Sequence, residues 1–139
     1  MPSEIILKKL EQITELLNEL ERLLSHPLDT FLKDIVIIRA SERNFQLIVD
    51  LASDINTQIL LEKGEKTPDT YRQSFSNLEK AGVLEGGLSR KLVISAGLRN
   101  ILVHEYDFEE DYEKFYVSAK GFIPAYREYI KIIYNYTKK

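Results

Sequence analysis

The sequence predicts an all-α fold: an up-and-down bundle of about five helices that pairs as a homodimer. Three observations lead there. Apolar residues recur at spacings of three and four through most of the chain, the period of a helix with one buried face. The period-two alternation of a half-buried strand is almost absent. The few Gly (6) and Pro (4) fall mostly where helices should begin or end. A length of 139 residues fits one domain, residues 1–139, around one core.

The first helix is expected over about Ser3 to Ser25. Ile6, Leu10, Ile13, Leu17, Leu20 and Leu24 make one apolar stripe along it. Pro27 and Asp29 mark the following break. A second, long helix is expected from about Thr30 to Glu62. Phe31, Ile35, Ile38, Phe45, Ile48, Ala52, Ile55 and Ile59 form one face of it, and Val36, Ala40, Leu47 and Leu51 form another. Apolar cover on two sides places this helix in the middle of the bundle and leaves surface for a second copy of the chain. Its remaining stripe is polar: Arg39, Arg43, Gln46, Asp50 and Asp54.

A linker follows from Gly64 to Pro68. Thr67 is expected to cap a third helix, with Pro68 at its first position and Asp69 in its first turn. That helix turns Tyr71, Phe75 and Leu78 inward and stops near Gly82, a left-handed terminator. After a turn containing Gly86-Gly87, a fourth helix runs from about Leu88 to Val103. Asp107 and Glu110 form a capping pair for the last helix. Tyr112, Phe115, Ala119, Phe122, Tyr126, Ile130 and Ile133 supply the core face of that helix, and Pro124 is expected to kink it.

Composition narrows the function. The balance of 44% hydrophobic and 29% charged residues is that of a globular chain, neither disordered nor membrane-embedded. No apolar run approaches the roughly 20 residues that cross a bilayer. Met1-Pro2-Ser3-Glu4 lacks the basic and then apolar pattern of a secretory leader, so a cytoplasmic location is expected. With 0 Cys there is neither a disulfide framework nor a thiolate nucleophile. A net charge of −3 argues against a broad nucleic-acid-coating surface, though not against a local basic cleft. His26 sits in a terminal turn without a carboxylate cluster, so no metal site is expected.

The segment Arg99-Asn100-Ile101-Leu102-Val103-His104-Glu105-Tyr106 is the richest in chemistry. An arginine, a histidine and a tyrosine fall within two helical turns of an otherwise apolar run. A phosphodiester-cleaving site uses a fixed cation for the phosphate, an imidazole that exchanges protons near neutrality, and a hydroxyl that orients the substrate. Asn100, four residues before His104, can orient the imidazole or the phosphate. On a straight helix Tyr106 falls about 20° from Arg99 but His104 about 140° away. Convergence on one phosphate therefore requires that the helix loosen around Val103-His104, or that the site be shared across a dimer seam. An Arg and a His at a helix end also serve structurally, pairing with a carboxylate and with the terminal carbonyls. The polar stripe is normally a solvated or salt-bridged strip; if one member reaches the motif helix, Asp54 is the expected one. The tyrosines of the last helix are expected mainly in the core and at its rim, although such rings can stack on bases.

Four blocks in order carry a resemblance over nearly the whole chain: Arg39-Ala40-Ser41-Glu42-Arg43 with Ile48-Val49-Asp50-Leu51-Ala52; Tyr71-Arg72-Gln73-Ser74-Phe75 through Leu78; Ala81-Gly82-Val83-Leu84; and Ala96-Gly97-Leu98 running into the R-x-x-x-x-H-x-Y motif. They resemble the HEPN superfamily, specifically its HepT-like toxins. The resemblance implies a helical homodimer acting as a metal-independent RNase toxin of a type II- or VII-like toxin–antitoxin system, with no cofactor. It makes Arg99 and His104 catalytic; the reading of the residues themselves adds Asn100, Tyr106 and Asp54 as supporting groups. It names RNA as substrate and an MNT-type nucleotidyltransferase as antitoxin, which transfers AMP from ATP to the motif tyrosine, here Tyr106. The alternative is a non-catalytic nucleotide-binding or regulatory module for such a nucleotidyltransferase.

Overall fold

A computed structural model describes residues 2–104 and 112–139, with side chains from Glu4 to Val103 and from Tyr112 onward. Among the described residues there are six α-helices and no strand: α1 (Pro2–Leu23), α2 (Leu28–Leu32), α3 (Ile35–Glu62), α4 (Tyr71–Lys80), α5 (Gly86–His104) and α6 (Tyr112–Thr137). The expected stripe of α1 is buried in full: Ile6, Leu10, Ile13, Leu17, Leu20 and Leu24. It packs on α3 and α6. α3 touches α1, α2, α4 and α5, which is the central position its two apolar sides called for.

The expected second helix is two helices. Asp34 interrupts it, and its carboxylate accepts hydrogen bonds from the Val36 and Ile37 amides at 3.1 and 3.2 Å. The periodic stripe runs through the break, so periodicity alone did not register it. The side chain of Asp34 meets amide donors that a fresh helix start leaves unpaired. The cap of α4 also differs from expectation. Thr70, not Thr67, caps it, with Oγ1 accepting from the Gln73 amide at 3.0 Å, while Gln73 Oε1 accepts from the Asp69 amide at 2.8 Å. This is a variant of the capping box, and it leaves Pro68 outside the helix. α4 ends as expected: Gly82 adopts φ +82°, and the Val83 amide donates to the Leu78 carbonyl at 2.9 Å. Gly86 and Gly87 are the first turn of α5 rather than a preceding turn. Glu85 caps that turn, accepting from the Leu88 amide at 2.6 Å.

The interior is aliphatic with an aromatic seam. Phe45 stands edge-on to Phe115 at 5.9 Å and lies at the same distance from Phe122, locking α3 to α6. Tyr126 and Tyr129 are fully enclosed. α6 continues as one helix through Pro124. Of its expected core face, Phe115, Ala119, Tyr126 and Ile133 are buried, Tyr112, Phe122 and Ile130 are half-buried at the rim, and Tyr116, Ile123, Ala125 and Tyr129 complete the face. The Tyr116 hydroxyl donates to the His26 carbonyl at 2.6 Å, pinning α6 to the end of α1.

The second apolar side of α3 is mostly covered within the protomer. Ala40, Leu47 and Leu51 are half-buried, and Leu47 and Leu51 line a groove with Leu16 of α1. The exposed large apolar residues of α3 lie at its two ends, at Ile35 and Val36 and at Leu61. Ile94 and Ile101 of α5 and Val117 of α6 are exposed as well. No helix among the described residues is long and apolar enough to cross a membrane.

Candidate functional site

Arg99 lies on α5 where that helix passes α3 and the start of α4. Its Nε donates to Asp50 Oδ1 at 2.9 Å, and Nη1 donates to Asn100 Oδ1 at 3.3 Å. The guanidinium carbon sits 4.4 Å from the centre of the Tyr71 ring, a cation–π contact. The Arg99 side chain is 15% exposed and that of Asp50 26%. The cation is thus partly desolvated but still reachable. Burial, and then the negative charge of Asp50, push the Tyr71 hydroxyl above its ordinary pKa.

Tyr71 stands on a buried polar network. Its carbonyl accepts from Ser74 Oγ at 2.7 Å; Ser74 Oγ accepts from Asn56 Nδ2 at 3.0 Å and from Ser53 Oγ at 3.2 Å. The Tyr129 hydroxyl completes the network, 2.6 Å from Asn56 Oδ1. Each hydroxyl and amide finds partners, so α3, α4 and α6 are joined by polar contacts that have little freedom to slip.

Arg72, the next residue along α4, lies across Gly97 of α5. A Cβ at Gly97 would meet Arg72 Nη2 at 3.1 Å, so glycine there leaves room for the guanidinium. Arg72 and Lys114 flank a groove floored by Val93, Leu98, Ile101 and Phe122, with a volume of roughly 420 Å³. This groove puts two cations near the helix that carries Arg99.

The sequence-predicted residues divide clearly. Arg99 and Asn100 are brought together. α5 stays helical through Val103 and His104, so the expected loosening there is not seen. On a regular helix their positions remain about 140° apart. The imidazole of His104, Tyr106 and the Asp107–Glu110 capping pair lie outside the described residues. Asp54 is exposed and pairs with Lys9 of α1 at 3.5 Å; the acidic residue that meets Arg99 is Asp50, one turn earlier. Arg39 is tied to Glu42 at 2.9 Å and to the Tyr112 hydroxyl at 3.1 Å, and Arg43 is exposed. Sequence reasoning placed Tyr71 in the core rather than against Arg99, and it gave Arg72 no role. The available signals were weak: a polar stripe with two equivalent aspartates, and a glycine inside a helix. Among the described residues no group of three or more His, Asp or Glu is arranged to hold a metal ion.

Comparison with known proteins agrees with this architecture. A curated relative, the tRNA nuclease HepT of Aphanizomenon flos-aquae (strain 2012/KM1/D3), is 33% identical over 132 residues, spanning 95% of this chain and 89% of its own length. A mutant form of the toxin–antitoxin MntA-HpeT superposes with a TM-score of 0.85 at 23% identity, over 95% of this chain and 98% of the other. The tri-AMPylated Shewanella oneidensis HEPN toxin, solved in complex with an MNT antitoxin, gives 0.82 at 22% identity, over 94% and 97% of the two chains. At these identities the superpositions establish the shared fold. The family model described as Ribonuclease HepT-like matches residues 6–133, and this chain belongs to that family.

Proposed function

We propose that this chain is an RNase toxin, a single HEPN-like domain over residues 1–139 that works as a homodimer. The observation that carries the reading is Arg99: a partly open cation, held by Asp50 and Tyr71, on the helix that also carries His104. Arg99 grips a non-bridging phosphate oxygen and offsets the charge that builds up at phosphorus. The imidazole of His104 takes the proton of the ribose 2′-hydroxyl. The 2′-oxygen bonds to phosphorus, the bond to the 5′-oxygen breaks, and the imidazolium gives its proton to that oxygen, leaving a cyclic phosphate, a 5′-hydroxyl and a neutral imidazole. Each proton has a carrier and the phosphorus is not oxidised, so the scheme asks for no metal.

The separation of Arg99 and His104 on a regular helix favours a site shared between two copies. Ile94, at 63% exposure, Ile101 and Val117 supply an apolar face on α5 and α6 for that pairing. The partner we propose is an MNT-type nucleotidyltransferase antitoxin. The Tyr106 hydroxyl attacks the α-phosphorus of ATP, releases pyrophosphate and carries AMP. The added phosphate is negative and bulky, and it competes with RNA for the cation. A relative solved as a tri-AMPylated toxin with its MNT antitoxin supports this part of the reading.

The test is incubation of wild type and His104→Ala with total RNA, including tRNA, in the presence of chelator. Cleavage by wild type, lost in a folded and dimeric His104→Ala, is the expected result. Equal behaviour of the two proteins overturns the catalytic reading and favours the regulatory module. Tyr106→Phe is expected to remain active while escaping adenylylation by the partner; full modification of that variant, read by intact mass, rejects the assignment.

A further inference from the structure

We infer that Asp50 and Tyr71 are positioning residues for Arg99, fixing its guanidinium so that the Nη edge faces the incoming phosphate. The inference rests on the reading of Arg99 as the phosphate clamp. Asp50 takes the Nε hydrogen at 2.9 Å, and Asn100 takes one Nη1 hydrogen at 3.3 Å. Tyr71 backs the guanidinium at 4.4 Å. Among the described residues Nη2 has no hydrogen-bond partner, so the unspent donors lie on the Nη edge. That edge presents paired N–H groups to two oxygens of a phosphate.

Two further observations separate this from an ordinary ion pair. Asp50 and Arg99 are 49 positions apart and both partly open, a setting in which an ion pair adds little to stability. Tyr71 itself is held from behind: its carbonyl is bonded to Ser74, which the buried amide of Asn56 holds in turn. The ring therefore stands on a rigid base, as a surface that must orient a flexible arginine requires. A free arginine samples many rotamers, and holding one of them removes that cost from substrate binding.

The experiment combines nitrogen-15 spectra of the arginine side chains with RNA cleavage. The Arg99 Nε–H resonance is identified by its loss in Arg99→Lys. We expect it to exchange slowly in the wild type, to exchange rapidly in Asp50→Asn and Tyr71→Leu, and to be kept in Tyr71→Phe, which retains the ring. Cleavage should follow the same order. Asp50→Asn and Tyr71→Leu should lose on the order of 10- to 100-fold in kcat/KM, and Tyr71→Phe should stay near wild type. In the Arg99→Lys background, Asp50→Asn should cost nothing more. A wild-type resonance that exchanges as fast as an exposed arginine's, or Asp50→Asn matching wild type in both readouts, overturns the inference. If wild type cuts no RNA, the nuclease reading falls. The resonance then decides on its own: slow exchange supports the positioning role, and rapid exchange ends it.

Discussion

The α1–α3–α6 interior and the α3–α4–α5 seam are built from opposite materials. The interior is apolar and closed: Ile13, Phe45, Ile48, Ala52 and Ile133 are all at 1% exposure or less. The seam is polar and partly open: Asp50 and Tyr71 meet Arg99, and Arg72 lies across Gly97. The interior draws its energy from burial, which is indifferent to which helix supplies the cover. The seam draws little energy from its contacts but depends on which atoms meet. Stability and the proposed chemistry therefore fall on different faces of α3, a face toward α1 and a face toward α5.

Substitutions can break that division, and the largest effect should come from the interior. Phe45→Ala removes the ring that joins α3 to Phe115 and Phe122, and it should cost about 3–5 kcal/mol. The check is denaturant unfolding, with cleavage measured per folded molecule. If the interior lost stability without lowering cleavage per folded molecule, the separation of the two regions would stand; a proportionate loss of both would dissolve it.

Alkaline pH gives the next largest effect, again from the interior. Burial holds the Tyr126 and Tyr129 hydroxyls well above their usual pKa, although the bond to Ser95 pulls Tyr126 partly back. Both hydroxyls keep their protons in the folded chain at a pH where the unfolded chain releases them. Their stabilisation is complete below the ordinary tyrosine range near pH 10 and is lost as the pH rises above it. The slope is about 1.4 kcal/mol per pH unit for each tyrosine. Tyr126→Phe should flatten that limb in urea midpoints measured between about pH 9 and 11, whereas Tyr134→Phe, at an exposed site, should leave it unchanged.

The smallest effects sharpen the seam. Asp54→Ala breaks an exposed pair to Lys9 and should shift stability by less than about 0.5 kcal/mol, with cleavage unchanged. Asp50→Ala should also shift stability by no more than about 1 kcal/mol, yet lower cleavage sharply. Loss of cleavage in Asp54→Ala equal to that in Asp50→Ala would mean that the stripe acts as a diffuse field and not through one contact.

The same contrast shows what could be read from the chain. The α1 stripe, the central place of α3, the stop at Gly82 and the inward aromatics of α6 were all legible, because burial repeats with the helical period along one segment. The Asp34 break and the Thr70 cap were harder. Each depends on one side chain reaching an amide two or three residues away, while the apolar period runs on regardless. At the site, the chain pointed to Arg99 and Asn100 but placed the supporting carboxylate one turn late.

The sequence by itself determined the all-helical class and the motif helix, which follow from local periodicity, and it carried the family in the resemblance of four ordered blocks that the family model matches over residues 6–133. Only the tertiary structure decided that Asp50, and not Asp54, meets Arg99, and that Tyr71 lies against the guanidinium. The two aspartates share a helix face about 6 Å apart. Which of them meets the arginine depends on how far α5 slides along α3, and the packing of the whole bundle sets that offset.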